Sequence, residues 1–171
     1  MTKIEFVKKY YAFAKQAEVE NKVPTIFTLA QCAVETAWGA EAPGNMMFGI
    51  KDTDGVNGNE QLITTTEYLS NPNAKFPVII SKTWMAAKNK WKYIVKTYFR
   101  KYNSPKDSFI DHGKFFIENK RYADNFVKCK TDWRCFAKEV ALDGYATGTN
   151  YASLLLSIGD GIEKIVKDLK L

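Results

Sequence analysis

Between Pro24 and Gly39 apolar side chains cover almost every side of the predicted helix, and a helix that greasy has to sit inside a fold. Pro24 stands where a helix accepts a proline, at its first turn, and Gly39 stands where helices stop. The spacing therefore predicts one helix from Thr25 to about Gly39. Ile26, Phe27, Leu29, Ala30, Cys32, Ala33, Val34, Ala37 and Trp38 leave a single polar line. That line is Thr28, Gln31 and Glu35, at i, i+3 and i+7 on one face. Glu35 is thereby carried into an interior or a cleft. Its apolar neighbours, with Trp38 three residues on, disfavour the charged form, and so does the negative helix end at Gly39. A carboxyl group kept neutral near pH 7 can serve as a proton donor to a leaving group. A buried ion pair with a lysine or arginine elsewhere fits the same residues equally well.

The rest of the chain reads as helices flanking a short β region. Thr2 and Glu5 have capping-box spacing, and Ile4, Val7, Tyr11 and Ala14 line one side of a first helix running to about Glu20. Asp52 to Glu60 is dense in turn residues, with Asp54-Gly55 and Asn57-Gly58; it lacks the length and closing glutamate of an EF-hand. Gln61–Tyr68, Phe76–Trp84 and Lys90–Tyr102 read as strands, the last two joined around Ala87-Lys88-Asn89. Ser104-Pro105-Lys106-Asp107 opens another helix, carrying Phe109, Ile110, Phe115, Phe116 and Ile117. Thr131 or Asp132 caps the next, which stops at Gly144. A last amphipathic helix runs through Leu154, Leu155, Ile158, Ile162, Ile165 and Leu169.

Four words of sequence carry a resemblance. Gln31 to Gly39, QCAVETAWG, is similar to the "AQ-x-x-x-E-[ST]-x-WG" helix of the endo-β-N-acetylglucosaminidase family of bacterial and phage peptidoglycan hydrolases. Asn45 to Lys51, NMMFGIK, resembles that family's "N-N-L-F-G-I-K" loop. Thr65-Thr66-Glu67-Tyr68 with Phe99-Arg100-Lys101-Tyr102 resembles its small β-lobe, and Tyr145 to Ala152 resembles "Y-A-T-D-P-x-Y-A". Arg121-Tyr122-Ala123 is similar to its "P-R-Y-A" turn. The words fall in the family's order and span nearly the whole chain. Two departures stand out: Met46 in the loop, and Gly148-Thr149 in place of Asp-Pro. The chain between the two β-lobe words is also longer than the family leads one to expect, and holds Trp84, Trp91, Tyr93 and Tyr98.

The resemblance implies an α+β, mainly α, lysozyme-like domain over residues 1–171, with a β-hairpin lobe at about 52–102 over an active-site cleft. It implies hydrolysis of the β-1,4 bond after N-acetylglucosamine in peptidoglycan glycan strands, without metal or cofactor. Glu35 is then the general acid. Glu67, on a polar threonine-rich strand, is the second carboxylate of a glycosidase, or else it orients the substrate's acetamido group. Tyr145 is the third catalytic candidate. Gln31, Trp38, Asn45, Phe48, Tyr68 and Tyr151 are the substrate-binding candidates, Phe48 either offering a ring face to a sugar or filling the core. N-acetylmuramidase or lytic transglycosylase specificity, and a wall-binding module without catalysis, are the alternatives.

Composition narrows the classes. At 171 residues, 46% hydrophobic and 26% charged, the chain is long enough for a core of its own. No apolar run reaches membrane-spanning length, and Met1 to Glu5 reads as a helix opening rather than a signal peptide. The expected setting is the bacterial wall, reached by secretion, in the periplasm or by phage release, and the expected state is a monomer. The net charge of +6 and pI near 9.1 call for an anionic partner. No nucleic-acid motif accompanies the scattered lysines, so wall polymers fit better. Three cysteines make no disulfide framework: Cys32 reads as a core residue, while Cys129 and Cys135 either bridge a turn or stay free. His112 is the only histidine.

Overall fold

Thr2 accepts a hydrogen bond from the Glu5 amide and its own amide donates to the Glu5 carboxylate, the reciprocal box that starts helix α1 (Lys3–Asn21). The computed structural model describes residues 1–53, 55–146 and 150–171. The chain folds as two units: Met1–Phe48 with Tyr102–Leu171, and Gly49–Lys101. Asp54 of the expected Asp54-Gly55 turn and the Gly148-Thr149 departure lie outside the described residues.

The first unit is helical. Helix α2 (Thr25–Glu35) follows α1 directly and packs against it. Beyond the β region come α3 (Pro105–Glu118), opened by a second capping box between Ser104 and Asp107, and α4 (Ala123–Cys129). Then α5 (Trp133–Leu142), capped by the Asp132 carboxylate, leads to the closing helix α6 (Tyr151–Leu169). Of the two candidate caps for α5, Asp132 is the one used. A short 3₁₀ turn over Lys120–Tyr122 precedes α4, where the sequence suggested only a turn. A Cys129–Cys135 disulfide ties the end of α4 to the first turn of α5, and Cys32 is buried and free.

Helix α2 is the hub, packing on α1, α5 and α6. Phe27 is fully buried and meets Phe136 edge-on at 4.9 Å and Phe116 at 5.5 Å. Two glycines permit close helix approaches. A Cβ at Gly113 of α3 would lie 2.5 Å from the Asn21 side chain of α1, and one at Gly159 of α6 would lie 2.3 Å from the Trp133 ring.

The second unit is a three-stranded antiparallel sheet, ordered β1-β3-β2, from β1 (Glu60–Leu69), β2 (Val78–Met85) and β3 (Lys90–Arg100). The longest and most buried strand, β3, is central, with Tyr93 and Val95 fully buried. Glu67 pairs with Tyr93 and Tyr68 with Lys92. Strand β2 is an edge, open to solvent along nearly its whole length, with a register shift between Ile79 and Ser81. Among the described residues no helix is long and apolar enough to cross a membrane.

Candidate active site

Helix α2 ends at Glu35, not at Gly39 as its spacing suggested. The reason lies in the backbone that follows. Ala37, Trp38 and Gly39 take φ of 47°, 60° and 79°, three successive residues in the left-handed region. Outside glycine such a conformation costs about 1–2 kcal/mol per residue and persists only where the surroundings impose it. Here the Thr36 hydroxyl donates to the Cys32 carbonyl at 2.6 Å and accepts from the Gly39 amide at 2.8 Å. The Trp38 amide reaches back to the Ala33 carbonyl at 2.9 Å. Glycine suits position 39: it adopts that φ without strain, and a Cβ there would lie 3.3 Å from the Tyr10 ring. Glu35 therefore sits at the last helical position, where the carbonyl ends of the helix face it.

Glu35 is open to solvent as a residue, yet protein surrounds its carboxyl closely enough that desolvation raises it above the ordinary 4.5. Among the described residues it makes no salt bridge and no side-chain hydrogen bond. Its charge acts on Tyr145 and Tyr151, whose hydroxyls are pushed up chiefly by burial and further by Glu35. The Cys32 thiol is likewise pushed up by burial, which removes it as a nucleophile.

Behind this carboxyl runs a buried polar chain. The His112 Nε2–H donates to Gln31 Oε1 at 2.8 Å, and Gln31 Nε2 donates to the Tyr151 hydroxyl at 2.7 Å. Gln31 Oε1 can only accept, which sets the tautomer of His112, and its Nε2 donates to the Tyr151 hydroxyl, which keeps its own proton to donate. His112 is wholly buried, stacked on Phe48 at 3.7 Å, and desolvation lowers it to about 3, so it stays neutral. Tyr145 stacks on Tyr151 at 5.8 Å and 10° and on Phe116 at 5.8 Å and 13°.

The other sequence candidates separate. Gln31 is 0% exposed, so it braces Tyr151 rather than meeting a substrate, because both ends of its amide are already engaged. Phe48, 2% exposed between His112 and Phe109, is core; it offers no face to a sugar. Trp38 turns to α1, edge-on to Phe6 at 5.3 Å and under Lys3, because the left-handed turn carries it there. Asn45, at φ 56°, donates to the Tyr102 carbonyl at 2.9 Å and holds the loop. In the sheet, Glu67 accepts from Lys51 at 2.8 Å, while Tyr68 points to the opposite face with Lys88 3.9 Å over its ring. Sequence reasoning missed the roles of His112 and Lys51. The signal for His112 was its place between Phe109 and Phe116, three and four residues away on the apolar face of α3.

A groove of about 520 Å³ between Asn21, Ile117, Phe126 and Lys130 lies apart from these residues. Its lone carboxylate, Glu18, is already bonded to Thr25 and Lys15.

The family model for mannosyl-glycoprotein endo-β-N-acetylglucosaminidases matches residues 11–164. The chain belongs to the glucosaminidase family. Peptidoglycan hydrolase FlgJ of Vibrio parahaemolyticus is 27% identical over 166 residues, covering 94% of this chain and 47% of that protein. FlgJ of Salmonella typhimurium is 30% identical over 161 residues, covering 90% and 44%. This glucosaminidase chain thus spans about half the length of the curated relatives it matches. The glycoside hydrolase domain of Salmonella typhimurium FlgJ superposes with a TM-score of 0.73 at 25% identity, over 99% of this chain and 94% of that one. The catalytic domain of the Listeria monocytogenes autolysin Auto has a TM-score of 0.66 at 21% identity, over 95% and 86%, which shows a shared fold. The mainly helical, lysozyme-like α+β class expected from the sequence is the class found.

Proposed function

We propose that this glucosaminidase chain hydrolyses the β-1,4 bond after N-acetylglucosamine in peptidoglycan glycan strands, with Glu35 as the proton donor. The observation that carries the reading is the state of Glu35. It is a carboxyl at a helix end, raised by desolvation and bonded to no cation among the described residues, with two tyrosine hydroxyls close enough to feel its charge. A group in that state gives a proton to a departing glycosidic oxygen near neutral pH. The FlgJ relatives are peptidoglycan hydrolases by name, which supplies the substrate class.

Glu67 is the second carboxylate, held by Lys51. It activates water, attacks the anomeric carbon, or orients the substrate's acetamido group for internal attack. The anomeric configuration of the first product separates the first of these, which inverts, from the other two. Tyr145 and Tyr151 stabilise the Glu35 carboxylate left after proton transfer. The site acts on the bacterial wall, as a monomer and with no nucleic-acid partner.

Mass spectrometry of digested muropeptides is the test. A reducing-end N-acetylglucosamine supports this assignment, whereas a reducing muramic acid or an anhydro end assigns the chain to muramidase or transglycosylase chemistry. Wall binding with no release at all returns it to a binding module.

A further inference from the structure

We propose that the tip of the β2–β3 hairpin is an additional saccharide subsite built on Trp84, selective for glycan strands that carry carboxylates. The inference rests on the glycan-cleaving reading above and extends it to a surface that reading does not use. Directly paired residues in a sheet point to the same face. Glu67, Tyr93 and Lys82 form one row across the three strands, and Leu69, Trp91 and Trp84 form the next row on that face. The Trp84 row therefore lies about 7 Å along the strand from the proposed second carboxylate.

Trp84 is 45% exposed although its ring is held edge-on by Trp91, 5.3 Å away at 60°. Lys82 is fixed beside the pair. Its ammonium stands 4.3 Å over the Trp91 ring and 5.8 Å over Tyr93, and donates to the Pro72 carbonyl. Ile79, on the same face of the edge strand, is 47% exposed. An indole immobilised on one flank and bare on the other presents a flat apolar platform of the kind a pyranose C–H face covers.

Charge supplies the selectivity. Residues 70–101 contain eight lysines and arginines and no acidic residue. The platform thus stands in a positive field, with Lys82 held over the ring of its partner Trp91. Peptidoglycan strands bear stem-peptide carboxylates where they are not cross-linked, while a neutral β-1,4-linked N-acetylglucosamine strand has none.

The test uses the full chain carrying Glu35→Gln, so that bound strands are not cut. Its binding to peptide-bearing glycan fragments is compared with binding to the neutral N-acetylglucosamine hexamer, with the indole N–H signals followed by NMR. Expected results are a shift of the Trp84 signal on binding, about tenfold weaker binding after Trp84→Ala, and partial recovery in Trp84→Phe. Lys82→Gln should weaken the peptide-bearing fragment more than the neutral one. If Trp84→Ala binds both like its parent while the unmutated chain clears walls, the subsite is overturned and the glycosidase reading stands. Should the unmutated chain neither clear walls nor bind either strand, both fall together. Equal losses for the two fragments in Lys82→Gln overturn the charge selectivity, and tighter binding of a DNA duplex than of either glycan replaces the saccharide with nucleic acid.

Discussion

The two units solve different physical problems. Residues 49–101 hold nine lysines and arginines against four acids, whereas the rest of the chain holds sixteen against fifteen. In the helical unit polar groups are carried inward and engaged with one another, as in the His112–Gln31–Tyr151 chain. In the sheet they stand outward on strand β2, open to solvent almost throughout. A proton donor needs a fixed, poorly hydrated setting; a surface that meets a long anionic polymer needs exposure and a one-signed field. On the proposed function, the contrast teaches that one chain can keep these demands apart by assigning them to separate units.

That contrast can be broken by mutation. The largest effect is expected from Glu35→Gln, which should cut wall hydrolysis about 1,000-fold, the scale of a lost general acid, while leaving wall binding in place. Turbidity clearing alongside a pull-down on purified walls measures both; equal clearing by parent and variant removes Glu35 as the acid. Next comes Glu67→Gln in the sheet unit, with a loss of about 100-fold in turnover and little change in melting, since its Lys51 partner is half exposed. Turnover within twofold of the parent would leave Glu67 a surface residue.

Gln31→Leu sharpens the comparison from the side of stability. It strands the buried His112 Nε2–H and takes away the donor to Tyr151, so a loss of about 2–3 kcal/mol is expected in chemical denaturation. Thr64→Leu on the exposed face of β1 should cost almost nothing.

The smallest effect is pH-dependent. A carboxyl whose proton is held more tightly folded than unfolded lowers stability as pH rises from its ordinary value of 4.5 through the raised folded value, and the cost persists above. Glu35→Gln removes that cost. The variant should melt above the parent at pH 7, with the gap closing below pH 4.5. A gap that widens on acidification would contradict the sign.

Much of this arrangement was legible in the sequence where local chemistry decides. Thr2 with Glu5 and Ser104 with Asp107 announced two helix starts, and a run of β-branched residues announced β1. What was not legible depends on tertiary contacts. Gly39 looked like the end of α2 because glycine is the residue that usually ends helices. Its end at Glu35 comes instead from the left-handed turn over Ala37, Trp38 and Gly39, which the Thr36 hydroxyl holds between the Cys32 carbonyl and the Gly39 amide. Gln31 and Phe48 read as substrate contacts because polarity and aromaticity do not reveal burial. Their true neighbour, His112, lies 81 residues from Gln31 along the chain. Helix α4 is only seven residues long, too short for a periodic pattern to stand out. The pairing of Cys129 with Cys135, left open by their spacing, is decided by the α4–α5 turn that brings them together.

The most direct measurement is an NMR titration of the Glu35 side-chain carboxyl in the full chain, assigned by its disappearance in Glu35→Gln. The account predicts a midpoint above 4.5, with the Tyr145 and Tyr151 ring signals moving in step as the charge forms beside them. A midpoint at or below 4.5, with both tyrosines unmoved, would contradict it.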